Sequence, residues 1–115
     1  MPVTVGFIED LELNYRAVVF GDEASGETLE LQRSLVIDEQ DRLNGMDDYC
    51  LVLASGPTFY GGIEAWRVGE LDVAFRLSPE AADVLGLEQD VVLEIHRDAI
   101  ADLGLWLAKV VDDVR

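Results

Sequence analysis

Apolar and polar residues alternate with a period of two through much of this chain, which confines it largely to strands with one dry face and one wet face. Leu11, Leu13, Tyr15, Ala17 and Val19 are interleaved with Glu12, Asn14 and Arg16. This is the pattern of a long half-buried strand, whose successive side chains point to opposite sides. After the loop Gly21-Asp22-Glu23-Ala24-Ser25-Gly26, alternation resumes with Leu29 and Leu31 against Thr28, Glu30 and Gln32. The two runs are predicted to pair as a hairpin. Val3, Val5 and Phe7 predict a shorter strand ahead of them, ending near Glu9-Asp10.

The second half is more strongly β. Tyr49-Cys50-Leu51-Val52-Leu53 reads as a continuous buried strand closed by the turn signal Gly56-Pro57. Thr58 to Val68 is predicted to form the next strand, with Gly61-Gly62 marking a bulge or a close backbone approach. Gly69-Glu70 suits a two-residue turn with glycine at its first central position, after which Leu71, Val73, Phe75 and Leu77 alternate with Asp72, Ala74 and Arg76. Ser78-Pro79-Glu80 offers a capping hydroxyl, a proline for the first helical position and an acid for the first turn; Gly86 offers the stop. Val91, Leu93 and Ile95 then predict a further strand. Ile100, Leu103, Leu107, Val110 and Val111 recur at helical spacing, with Gly104 as a weak point. The predicted fold class is α+β: a mainly antiparallel β-sheet with a short helix near 79–85 and a C-terminal helix near 98–112. With 50% hydrophobic residues and no internal repeat or linker, residues 1–115 are expected to form a single compact domain.

Charge decides which partners such a domain can have. The 115 residues carry 24 Asp and Glu against 8 Lys and Arg, a net charge of -16, and Lys109 is the only lysine. A surface so one-sided repels itself, so it calls for a reason: a basic partner, solubility or a salty habitat. It disfavours nucleic acid, whose affinity comes from clustered cations releasing counterions, and anionic membranes for the same reason of sign. No run of about 18 apolar residues is present to cross a bilayer. The start, Met1-Pro2-Val3-Thr4, lacks the basic and then apolar regions of a secretion signal. A single cysteine, Cys50, excludes an internal disulfide. The expected location is the cytoplasm.

Catalytic and metal constellations are hard to assemble from these residues. Cys50 and the only histidine, His96, are far apart in sequence, and Cys50 reads as a small buried hydrophobe. His96 reads as a strand-end surface or capping residue. The two together fall short of the roughly four ligands of a structural zinc site. The most acidic stretch holds Asp38, Glu39, Asp41, Asp47 and Asp48 against Arg42, with Asn44-Gly45 as a turn signal. It could be one helical turn and a loop, or a distorted strand. It lacks the ligand spacing, central glycine and terminal glutamate of a calcium loop. Gly61-Gly62 lacks the lysine and helix start of a phosphate cradle. No cofactor and no metal are expected. The alternatives are a small hydrolase or isomerase using two carboxylates, supported only by the abundance of acids, and an acidic domain that binds another basic protein. Tyr60 and Trp66 lie on one face if their strand is regular and on opposite faces if it is bulged. Such aromatics either fill a core, the preferred reading for Trp66, or anchor an interface. Trp106, beside the helical stripe, belongs to the core or its edge.

The segment Tyr49-Cys50-Leu51-Val52-Leu53, then Tyr60-Gly61-Gly62-Ile63 with Trp66, then Leu71 to Leu77 and Ala81-Ala82 with Leu85-Gly86-Leu87, resembles the immunity protein 10 family of bacterial polymorphic toxin systems. The likeness covers Tyr49 to Ile95; its strongest part is the Tyr-Gly-Gly-Ile and Trp combination. The resemblance implies a non-catalytic cytoplasmic protein that neutralises a cognate toxin domain. Together with the charge, it makes the expected partner a toxin with a basic surface, such as a nuclease-like cleft. The candidate partner-binding residues are Asp38, Glu39, Asp41, Asp47, Asp48, Tyr60 and Trp66.

Overall fold

The computed structural model describes residues 3–22, 24–35, 39, 43 and 48–112. Five strands, β1 (Thr4–Asp10), β2 (Tyr15–Gly21), β3 (Thr28–Ser34), β4 (Cys50–Leu53) and β5 (Thr58–Tyr60), form one antiparallel sheet in sequence order. Strands β6 (Ile63–Val68), β7 (Asp72–Leu77) and β8 (Asp90–Glu94) form a second, three-stranded antiparallel sheet. Helix α1 (Pro79–Leu85) joins β7 to β8, and α2 (Arg97–Val111) ends the described chain. The α+β class and both helices agree with the sequence pattern.

The two sheets share one core. Val18, Phe20, Leu31 and Leu51 from the large sheet meet Val73, Phe75, Leu77 and Ile95 from the small one and its flank. Phe20 and Phe75 meet edge to face, with centroids 5.7 Å apart. A parallel bridge between Val3 and Ile95 links the sheets at one margin, where the Val3 N–H donates to the Glu94 carbonyl at 2.8 Å. Helix α2 lies against β2, β3 and β6, so it spans both sheets, and Leu103, Leu107 and Val110 are fully buried beneath it. Helix α1 buries Ala81, Ala82 and Leu85; its start is capped by the Ser78 hydroxyl, which accepts from the Ala81 N–H at 3.1 Å.

Four sequence expectations need correction. The long strand through Leu11 is really a hairpin: β1 and β2 pair from Thr4↔Gly21 to Asp10↔Tyr15, and Leu11 to Asn14 form the turn. That turn sets the register, so β2 directs Val18 and Phe20 into the core, while Ala17 is buried outside the core cluster. Strand β4 is dry on one side only, with Leu51 buried and its neighbours Cys50 and Val52 half-buried on the other side.

The expected strand from Thr58 to Val68 is two strands in different sheets. Gly61 and Gly62 both take positive φ at the break, 73° and 96°. A Cβ on Gly62 would sit 2.7 Å from the Ala81 Cβ, so the close backbone approach is real and lets α1 lie over the crossing. The bulge falls just after it, between Ile63 and Ala65. Finally, the β6–β7 hairpin has Glu70 and Leu71 as its central residues, one position later than expected. Gly69 and Asp72 flank them, the Gly69 N–H donating to the Asp72 carbonyl at 2.8 Å. Of the acidic stretch, Glu39, Leu43 and Asp48 lie within the described residues; Glu39 and Leu43 are helical, in keeping with the helical-turn alternative at those two positions, and the rest of the stretch lies outside the described residues.

Gly104 sits within α2, and a Cβ built on it meets nothing within 4 Å. Gly104→Ala is therefore expected to stabilise the fold by about 0.5–1 kcal/mol, read as a higher thermal midpoint with an unchanged far-UV spectrum.

Candidate partner-binding surface

One buried cation organises the side of the molecule where the acidic stretch rejoins the sheet. Arg33 falls in the inward register of β3 with Leu29 and Leu31 and is only 6% exposed. Its Nε donates to the Val110 carbonyl and its Nη2 to the Val111 carbonyl, the latter at 3.2 Å. These carbonyls close the C-terminal turn of α2, where the helix dipole is negative and a cation is stabilising. Asp48 stands 3.7 Å from the same guanidinium, which also lies 5.7 Å from the centre of the Tyr49 ring.

Tyr49 carries the link onward to the second sheet. Its hydroxyl oxygen accepts from the Ile63 N–H at 2.8 Å, and its backbone carbonyl accepts from the Gly61 N–H at 2.7 Å. Burial pushes the Tyr49 phenol pKa up; the Ile63 bond opposes that, and the Asp48 charge adds to it. Burial likewise raises the Cys50 thiol. Trp66, inward on β6, is half-buried against the core, and its Nε1 donates to both carboxylate oxygens of Asp112 at 3.1 and 3.2 Å.

The candidate residues therefore separate. Asp48 and Trp66 belong to the junction around the C-terminus of α2, where both have internal partners. Tyr60 lies across from Cys50 on the outer side of β5 and is 42% exposed. Glu39 is exposed. Asp38, Asp41 and Asp47 lie outside the described residues. Arg33 was missed as an organising residue, although its parity with Leu29 and Leu31 already put it on the inward face.

Elsewhere the described surface is open. Ala65, Arg67, Ala74, Arg76, Asp90 and Val92 line a concavity of about 370 Å³ on the outside of the small sheet. Arg76 there lies between Glu64 at 3.8 Å and Asp90 at 3.6 Å. Glu70, Asp72 and Glu94 border another open concavity beside Leu71 and Ile95. Among the described residues, no three His, Cys, Asp or Glu side chains are grouped to hold a metal ion. His96 occupies the N-cap position of α2, exposed and without a side-chain capping bond. Among the described residues no helix is long and apolar enough to cross a membrane.

These features define an acidic α+β architecture in which, among the described residues, two sheets and the helices α1 and α2 share one core. The chain matches the family model of Immunity protein 10 (Imm10) over residues 3–101, and it belongs to that family. The match takes in β1 to β3 as well as the later strands that carry the visible resemblance. Membership supports an immunity role, a non-enzymatic inhibitor that binds a cognate toxin. No curated protein and no solved structure matches the chain.

Two outcomes follow from the Arg33–Tyr49 junction. Arg33→Met keeps the stem but leaves two helix-end carbonyls without their donor, and is expected to cost about 2–4 kcal/mol in denaturant unfolding. The phenol of Tyr49 is neutral when folded and has a raised pKa, so its contribution is complete below the ordinary tyrosine value of about 10 and is lost as pH rises through the folded value. Stability measured across that alkaline range is expected to fall less steeply in Tyr49→Phe than in the parent.

Proposed function

We propose that this chain neutralises its cognate bacterial toxin in the cytoplasm by setting an acidic surface against a basic active-site cleft, of the kind a nuclease uses to hold phosphate. The observation that carries this reading is the Imm10 match over residues 3–101 in a chain of net charge -16. Catalysis has no part in it: occupying the cleft excludes the toxin's substrate. The opposed fields would speed encounter, and a few well-buried contacts would slow release. Asp38, Glu39, Asp41, Asp47 and Asp48 are the proposed source of the steering field, with Tyr60 and Trp66 as the proposed aromatic contacts.

The test is the association rate with the cognate toxin domain, followed as salt is raised from roughly 0.05 to 0.5 M. The rate is expected to fall about tenfold or more while dissociation changes little. An association rate indifferent to salt would remove the steering by charge.

A further inference from the structure

We infer that the β1–β2 turn is a plug that enters the toxin, with Leu11 and Leu13 filling an apolar recess whose rim is basic. The inference rests on the immunity reading and names the contact element within it. Leu11 is 82% and Leu13 69% exposed, whereas the inward leucines of the same sheet, Leu31 and Leu51, are buried. Turn tips are ordinarily filled by Gly, Asn, Asp and Ser. Two leucines held out in water there do nothing for the core.

The turn is also fixed in shape before any partner arrives. The Asp10↔Tyr15 pair closes it, and the Asp10 carboxylate accepts from the Leu13 N–H at 2.9 Å. Asn14 takes the left-handed conformation, φ 58°, and its carbonyl accepts from the Leu35 N–H at 3.1 Å, tying the tip to the end of β3. A contact element ordered in advance loses little conformational entropy on binding, so more of its apolar burial appears as affinity.

Charge selects the occupant. Asp10 and Glu12 flank the leucines, and nearby Glu9 is already paired with Arg16 at 3.1 Å. A second copy would bring the same acids against one another on two chains each of net charge -16, which opposes self-association through this tip. A recess with an apolar floor and Lys or Arg at its rim satisfies both the leucines and the acids. A phosphate-binding cleft has such a rim.

The experiment uses the full chain and a catalytically inactivated form of its cognate toxin domain. Leu11→Ser/Leu13→Ser, at exposed positions, is expected to keep the parent's melting curve and to weaken binding about a hundredfold, mainly through faster dissociation. Glu12→Gln is expected to slow association about twofold or more at low salt. Val92→Ser, at a site 60% exposed on the small sheet, is the control and is expected to bind as the parent does. A double variant that binds within about threefold of the parent overturns the plug. So does sedimentation showing a parent dimer that the double variant dissociates, because the occupant is then a second copy. If the parent chain itself fails to bind or neutralise the domain, it is the immunity reading that fails.

Discussion

The guanidinium of Arg33 is the contact on which the rest of the arrangement depends. Burying a cation costs several kcal/mol unless it is paired and hydrogen-bonded. Here the compensation comes from the negative end of α2 and, from the segment that leads into β4, Asp48 and the Tyr49 ring. The same side chain therefore fixes where the last helix ends and how the chain enters β4. Through Tyr49 and Ile63, its influence reaches the first residue of the second sheet. An acidic chain suits this device, since the surrounding negative field favours a buried cation.

Much of the fold is legible in the sequence because alternation, caps and turn residues are local signals. Ser78, Pro79 and Gly86 bound α1 within residues 79–85, where Ser78 caps it and Gly86 takes the left-handed conformation. Periodicity fails where the chain reverses without a break in the pattern. Leu11 and Leu13 continue the odd-numbered apolar series of Val5 and Phe7, but a four-residue turn lies beneath them. In β2 the run Val18-Val19-Phe20 is apolar on both sides, so pattern alone cannot choose which side faces the core. Pairing with β1 and β3 chooses it.

The candidate binding residues were less legible for a related reason. Tyr60 and Trp66 are close in sequence, and a single regular strand would have put them on the same face. Gly61 and Gly62 instead send the chain from one sheet to the other, leaving Tyr60 outward and Trp66 inward against α2. Acidic residues pose a harder problem. With 24 of them in 115 residues, sequence cannot separate acids that serve the fold from acids free to meet a partner. Only their neighbours can.

That separation bears on how a charged partner would be drawn in. Asp48 faces Arg33 and accepts from the Tyr49 N–H at 2.9 Å, so part of its field is spent within the molecule although its side chain is 53% exposed. Asp112 is similarly engaged by the Trp66 indole. Glu12 and Glu39 are exposed and have no described cation beside them; under the proposed mechanism they would contribute more per residue to long-range attraction. The acids that have partners within the fold have a different importance. Val110, Val111 and Asp112 all follow residue 101, where the family match ends, yet Arg33 and Trp66 hold them. The last helix is therefore built into the framework of β3 and β6, and loosening its C-terminal turn would disturb the junction at Asp48 and Tyr49 before it altered the charge of the surface.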